Sequence, residues 1–569
     1  MKSLPVPPLA QTLERYLTAL GPLQTAHERA VTGAAVTEFA NADGPACQEE
    51  LERFARAEHR RGRSWLTRAW QDTYLEQRSP LPLAGNVAFQ LAWDRTRRGV
   101  DLAADVAHRL AAVHLRHLRG EARPEVSPRG EPLTPTQWRY LAGGIRDPRP
   151  GTDGFLEGHP SPAHREIVVL RHNRAHALAV SDAAGRPLPR PALAAAMTQI
   201  LRSVATPGTF TDPSLLGSEH AAAVLDRLRA EPAGAETYRR LREALFVLDL
   251  GDEGETGGTA EALRRVAFDP GAAWVYKPLS VEVGLVDGFV AVHVEHSILD
   301  GATLAAHVAQ AHLVQPDDRV VEAPAAGRPT ELVWPVDARL RGEIDAALQA
   351  YRAEAGRYRV RVVTVPFTAP AGLRFSHDGA MQWIMLVAQR ATWGRVRSTY
   401  EAVDMREYLA GRTECLRPNT PEAVALAGAL LDGDATPEQL EAARGAHSAL
   451  VKACKSGNGI DRHLFGLRAM ASRLGLTPRI FADDGYRLLT TDVLSTTSIG
   501  GRGEIVRLAF APTADGGVGV NYTADPGAYE FCLTWRADEI GEIDAFVSHL
   551  RAGARALEEG ARRAGPTAP

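Results

Sequence analysis

Lysine is almost missing from this chain: of 65 basic residues, only Lys2, Lys277, Lys452 and Lys455 are lysines, and the rest are arginines. Cysteine is as scarce, and Cys47, Cys415, Cys454 and Cys532 lie far apart without C-x-x-C spacing. That spacing implies neither a disulfide framework nor a zinc site, so no metal is expected and a reducing compartment fits. Long apolar runs are absent, which excludes a membrane-spanning helix. The start, Met1-Lys-Ser-Leu-Pro-Val-Pro-Pro-Leu, lacks the continuous apolar core of a signal peptide, and Gly-Pro-Thr-Ala-Pro at the end is no peroxisomal address. A large charge of one sign is also missing: the formal net charge is −4, with a pI near 6.5. With no basic stripe carrying interleaved aromatics, nucleic acid is not an expected partner. There is no internal repeat or low-complexity segment. These absences leave a cytoplasmic, monomeric globular enzyme as the expectation.

At 569 residues, the chain exceeds one ordinary core and calls for two domains or an interleaved pair. Residues 9–120 carry helical spacing over Leu9–Leu23, Cys47–Glu76 and Leu102–Leu118. From about Glu166 the texture mixes strands and helices. Ile167–Arg171 and Ala175–Val180 read as strands joined by a turn near Asn173, and Ala184-Gly-Arg-Pro signals a second hairpin. Further strands are expected at Phe246–Leu250, Ala273–Tyr276, Arg359–Val365, Arg507–Ala511 and Gly517–Tyr522. Helices are expected at Ala221–Ala230, Ala235–Leu245, Val336–Ala355, Gly379–Arg390, Pro421–Leu431 and Leu464–Leu474. A Gly-rich loop falls at Gly251–Gly258, and Glu322–Arg328 reads as a linker. The order predicts α/β layers with mainly antiparallel sheets rather than a doubly wound sheet.

The most informative run is Val290-Ala-Val-His-Val-Glu-His-Ser-Ile-Leu-Asp-Gly301, where apolar alternation ends in H-x-x-x-D-G. Alternation puts Val290, Val292, Val294 and His296 on one strand face, so His296 continues an inward row. A desolvated imidazole stays neutral near pH 7 and can take a proton from a hydroxyl or thiol. Asp300 follows at a strand-to-loop transition, suited to bracing the segment that holds the base. The alternative reading is a histidine in the core.

Other segments narrow the choice. The run Ser398-Thr-Tyr-Glu-Ala-Val-Asp-Met-Arg-Glu-Tyr-Leu-Ala-Gly-Arg-Thr-Glu-Cys-Leu-Arg-Pro418 resembles a signature of the choline/carnitine O-acyltransferase family, and the His296 motif fits the same pattern. So do Leu4-Pro-Val-Pro-Pro-Leu, Leu81-Pro-Leu, Gly459-Ile-Asp-Arg-His-Leu-Phe-Gly-Leu467, the hydroxyl run Ser495-Thr-Thr-Ser498, and Phe510-Ala-Pro512 with Gly519. They follow family order across almost the whole chain.

The resemblance implies two chloramphenicol-acetyltransferase-like domains, each a mainly antiparallel sheet with flanking helices, and an active-site tunnel between them. It puts an N domain at about 90–338, and a C domain at 339–569 joined by the helical segment 1–89. It implies acyl transfer between coenzyme A and the hydroxyl of carnitine, with coenzyme A a co-substrate and no permanently bound cofactor. In that reading His296 is the base, Asp300 its organiser and Ser498 the donor to the developing oxyanion, with Thr497 the rival. Tyr400, Thr413 and Arg462 would receive the carnitine carboxylate, with Thr496 beside them. Thr413 and Arg462 favour carnitine over choline, which has no carboxylate. Phe510 would face the trimethylammonium, and Leu508 would shorten the acyl pocket toward short or medium chains.

The donor side departs from the family pattern. Phe367 and Ala371 stand where lysines normally meet the coenzyme A 3′-phosphate, leaving Arg374 and Asp378 as the retained cofactor-binding candidates. Arg357, Arg359 or Arg361 could supply charge instead. Ser498 is followed by Ile rather than Gln, and Phe-Ala-Pro replaces Phe-Gly-Pro. A carrier-protein thioester donor, another zwitterionic alcohol, or a non-catalytic acyl-binding homologue are the alternatives.

Overall fold

The computed structural model describes residues 1–564 other than 95, 205, 253, 256, 320–326 and 370–375. Arg374 and most of the expected linker Glu322–Arg328 therefore lie outside the described residues.

Two large sheets organise the described chain. The first has eight strands, in the spatial order Ile505–Phe510, Val87–Leu91, Val290–Val294, Leu279–Gly284, Val247–Gly251, Glu166–Arg171, Arg174–Ala179 and Thr330–Leu332. The second has six: Tyr358–Pro366, Ala528–Arg536, Val518–Asp525, Leu494–Gly501, Thr399–Asp404 and Thr413–Leu416. Antiparallel pairs predominate in both, but each sheet also holds parallel neighbours, such as Glu166–Arg171 beside Val247–Gly251 and Thr399–Asp404 beside Leu494–Gly501. The fold is thus α/β with helix-backed, mainly antiparallel sheets. Among the described residues no helix is long and apolar enough to cross a membrane.

The hairpin read around Asn173 has a two-residue loop, with Arg171 paired to Arg174 and both His172 and Asn173 at positive φ, 50° and 57°. Such a loop follows the right-handed twist of the flanking strands. The helix expected over Cys47–Glu76 is two helices, Asp43–Arg60 and Thr67–Leu75. Gly62 breaks it by adopting φ 72°, while Arg61 and Arg63 fold back onto the buried Glu58 carboxylate. Ala273–Tyr276 is no strand but a buried turn. The neighbouring strand is Leu279–Gly284.

The Val290–Val294 strand is covered on both faces. Val290, Val292 and Val294 pack in the core that includes Leu102, Val106 and Leu110 of helix Gly99–Leu118, while Ala291 meets the cluster containing Phe268 and Tyr358. The strand ends at Val294, so His296 leaves the inward row and is only part-buried, with 24% of its side-chain surface exposed.

The sheets are joined by a crossing. Ile505–Phe510 departs from the second half of the chain to pair with Val87–Leu91, Phe510 opposite Val87 and Leu508 opposite Phe89. Arg507 ties this strand to both sheets, donating to Gln90 at 2.5 Å and to Glu530 at 2.8 Å. The first helices pack the other way: Leu13, Tyr16, Phe39 and Leu51 share a core with Val403, Leu416, Leu464 and Leu467.

Candidate active site

A cavity of about 720 Å³ opens where residues of both sheets and of helix Thr67–Leu75 converge. His296, Asp300, Tyr400, Thr413, Arg462, Thr496, Ser498, Leu508 and Phe510 all border it. Nine positions scattered over more than two hundred residues thus share one wall.

His296 follows a rigid strand and precedes helix Gly301–His312, whose N-cap position is Asp300. Its Nδ1–H points to the Leu299 carbonyl at 2.6 Å. That bond puts the proton on Nδ1 and leaves the Nε2 lone pair free to accept one. The Tyr74 ring meets the imidazole edge-on, centroids 5.3 Å apart.

Asp300 lies 3.8 Å from His296 Nδ1, too far for a hydrogen bond. Its carboxylate instead accepts from Arg412 Nε and Nη2 at 2.7 and 2.8 Å and from Gln137 at 2.8 Å. Burial opposes its ionisation, yet the Arg412 guanidinium outweighs burial and holds the carboxyl below its ordinary range. Arg412 also donates to the Ser297 and His296 carbonyls at 2.7 and 3.0 Å. A residue of the second half thereby holds the histidine loop of the first.

Arg462, at the start of helix Asp461–Arg473, donates through Nε to the Thr413 carbonyl at 3.0 Å and through Nη2 to the Thr413 hydroxyl at 3.4 Å. Its guanidinium stacks 3.7 Å from the centroid of the Trp70 ring. Among the described residues no carboxylate forms an ion pair with it. Of the N–H groups of Arg462, Glu414 accepts only the backbone one, and burial pushes the Glu414 carboxyl up to about 7 against the pull of Arg462. Tyr400 is raised by burial, so its hydroxyl keeps its proton and can donate.

The Leu494–Gly501 strand decides which hydroxyls face the cavity. Leu494 belongs to the core with helix His377–Trp393, and Thr496 accepts from Gln382 of that helix at 3.0 Å. Even-numbered positions therefore face the helix, and odd-numbered ones the opposite side, where Ser495 lies beside Tyr400. Two expectations need correction. The Thr496 hydroxyl donates to the Tyr400 carbonyl at 2.7 Å, so it supports the strand rather than reaching a ligand. Ser498 is on the helix side at an irregularity, its Oγ accepting from the Gly500 N–H at 3.0 Å. Thr497, the rival, has the cavity-facing parity, and its hydroxyl makes no hydrogen bond among the described residues.

Phe510 borders the cavity where Gly519 permits close approach: a Cβ on Gly519 would fall 3.1 Å from the Phe510 ring and 2.3 Å from Thr534 Oγ1. Leu508 is buried and packed with the eight-stranded sheet at the cavity wall.

The donor-side assignments fare differently. Asp378 does not border the cavity. Its Oδ1 accepts from the Tyr522 hydroxyl at 2.8 Å and its Oδ2 pairs with His447 Nε2 at 3.0 Å, so it belongs to a polar network behind the six-stranded sheet. Phe367 is core, stacked on Tyr529 with centroids 4.5 Å apart. Arg357 is paired with Glu354 and Asp538, Arg361 with Asp544, and Arg359 donates to the Gly356 and Tyr358 carbonyls.

Trp70, Tyr74, Gln137 and Arg412 escaped the sequence reading. Arg412 stood inside the quoted G-R-T-E run, while Trp70 and Tyr74 looked like one face of an ordinary helix. Gln137 had no signal.

Two helix-backed sheets meeting at a cavity with an imidazole on its wall are the plan of an acyltransferase. Residues 4–552 match the choline/carnitine O-acyltransferase family, and the chain belongs to that family. Among its relatives, carnitine O-acetyltransferase of Mus musculus is 25% identical over 91% of this chain and 86% of its own length. Peroxisomal carnitine O-octanoyltransferase of Mus musculus is 27% identical over 94% and 92%, and choline O-acetyltransferase of Rattus norvegicus is 26% identical over 94% and 88%. The family uses coenzyme A esters as substrates. These identities leave acceptor and chain length open between the relatives.

Proposed function

We propose that this protein transfers a short- or medium-chain acyl group reversibly between coenzyme A and the hydroxyl of carnitine, with His296 as general base. The observation that carries the acceptor is Arg462: a part-buried guanidinium on the cavity wall, oriented by Thr413 and Trp70 and without a carboxylate ion pair among the described residues. A half-buried guanidinium that no described carboxylate pairs with directly favours an anionic ligand group. Carnitine supplies a carboxylate and choline does not. The Phe510 ring is an apolar, electron-rich surface suited to the quaternary ammonium.

With both substrates bound, His296 Nε2 takes the hydroxyl proton as the carnitine oxygen attacks the thioester carbonyl. The carbonyl π electrons move to oxygen, where the Thr497 hydroxyl is the best-oriented donor. Collapse breaks the carbon–sulfur bond, and the imidazolium returns its proton to the leaving thiolate. Leu508, which borders the cavity beside its strand partner Phe89, supports a short or medium acyl chain.

The test is steady-state thiol release with acyl-coenzyme A of graded chain length, carnitine or choline, and Arg462→Asn. The expected result is turnover with carnitine whose KM rises about a hundredfold in the variant, the loss of one charged hydrogen-bonded contact, with choline indifferent to the change. An unchanged carnitine KM would overturn the clamp.

A further inference from the structure

Gln137 lies in the helical turn Thr136–Ala142, buried and remote in sequence from every other residue of the site. Its carboxamide oxygen accepts the Asp300 backbone N–H at 2.8 Å and the Thr303 hydroxyl at 2.9 Å, and its Nε2 donates to Asp300 Oδ2 at 2.8 Å. All three bonds go to the segment just after His296.

The N–H of Asp300 and the C=O of Leu299 belong to one planar peptide unit. That same carbonyl accepts His296 Nδ1–H at 2.6 Å. Because the unit is rigid and its N–H and C=O point in opposite directions, holding one end aims the other. Arg412 grips the loop through the carbonyls of His296 and Ser297 and the Asp300 carboxylate, but it makes no bond to this peptide unit. Gln137 does.

We infer that Gln137 is a positioning residue for His296: through the Leu299–Asp300 peptide it aims the carbonyl that keeps the proton on Nδ1 and Nε2 free. This rests on the general-base reading of His296. Without Gln137, the peptide can rotate, the Nδ1 bond is lost, and the other tautomer, with its proton on Nε2, becomes populated. That tautomer cannot accept the substrate proton at Nε2.

The test compares the full-length protein with Gln137→Met, which keeps side-chain size but offers no such bonds, and Gln137→Glu, which donates only while protonated. Turnover is followed by thiol release from acyl-coenzyme A with carnitine across the pH range, and unfolding temperatures are recorded. Gln137→Met is expected to lower kcat by about tenfold to a hundredfold, the range for residues that orient a functional histidine, with little change in either KM and a displaced acidic limb of the kcat/KM profile. Gln137→Glu is expected to retain more activity at low pH and lose it as its carboxyl ionises. Wild-type kcat and an unmoved acidic limb in folded Gln137→Met overturn the inference. If that variant does not fold, an unmoved profile in Gln137→Glu does so. His296→Ala separates the two readings: retained turnover overturns the base assignment itself, whereas lost turnover with unaltered Gln137 variants overturns only the role of Gln137.

Discussion

Arg412 and Asp300 form a two-point ion pair, at 2.7 and 2.8 Å, between the strand pair that carries Tyr400 and Thr413 and the loop that carries His296. Both partners are largely buried, so removing one strands the charge of the other. Arg412→Met is expected to destabilise the protein by about 3 kcal/mol and to lower kcat. The double variant Arg412→Met with Asp300→Leu should recover part of the stability, because no unpaired charge remains. Denaturation midpoints of the two single variants and the double variant measure the coupling, and simple additivity would contradict it.

Thr497 rather than Ser498 has the parity for donating to the oxyanion. Thr497→Val preserves shape and removes the hydroxyl, and kcat is expected to fall by about a hundredfold or more, the cost of a lost oxyanion donor. Ser498→Ala should leave kcat near wild type, since its side chain shares the parity of Leu494 and Thr496, which face helix His377–Trp393. Steady-state kinetics of the pair decides the matter, and a larger loss from Ser498→Ala would return the role to that residue.

This one-residue question shows where sequence reading is sharp and where it stops. The motif around His296 was legible because alternation and H-x-x-x-D-G are local, and Tyr400, Thr413 and Arg462, which border one cavity, were picked out by the family resemblance of the segments that hold them. Ser495-Thr-Thr-Ser498 offers four consecutive hydroxyls, with Ser498 and Thr497 as the candidates for the oxyanion. Only the position of Gln382 behind Thr496 fixes which face is which. Asp378 looked free for a ligand because nothing local announces His447 and Tyr522, which come from 69 and 144 residues away. Gln137 bonds across 163 residues to Asp300, a distance over which no periodicity carries. The strand Ile505–Phe510 was found, but its membership in the other sheet depends on the tertiary pairing with Val87–Leu91.

Glu414 is expected to make the binding of an anionic acceptor at Arg462 sensitive to pH. Burial raises its carboxyl to about 7 beside Arg462, so below pH 7 it is mostly neutral and the guanidinium charge is available to an anion. Above pH 7 it ionises and competes. The KM for an anionic acceptor is therefore expected to rise with pH through about 7, by about tenfold for one neighbouring charge at an intermediate effective dielectric constant. Glu414→Gln keeps an oxygen for the Cys415 and Arg462 N–H groups and removes the charge. Its KM should stay low above pH 7, and a profile that rises as in the wild type would assign the effect to another group.

Three buried histidines are expected to make the fold acid-sensitive. Burial lowers His293 to about 4, His307 to about 3 and His463 to about 3, against an unfolded value near 6.5. Since each folded value lies below the unfolded one, the unfolded chain binds more protons as pH falls. The contribution is thus intact above about 6.5 and is lost progressively down to the folded values. At pH 5 each site costs about 2 kcal/mol. His307 is the one to replace, because its ring projects from helix Gly301–His312, which follows His296, and packs against His114 and Tyr140. His307→Gln removes a titrating group while keeping a polar side chain for Tyr140. Its unfolding midpoint should fall less between pH 7 and pH 5 than that of the wild type, and parallel losses in the two proteins would place the acid sensitivity elsewhere.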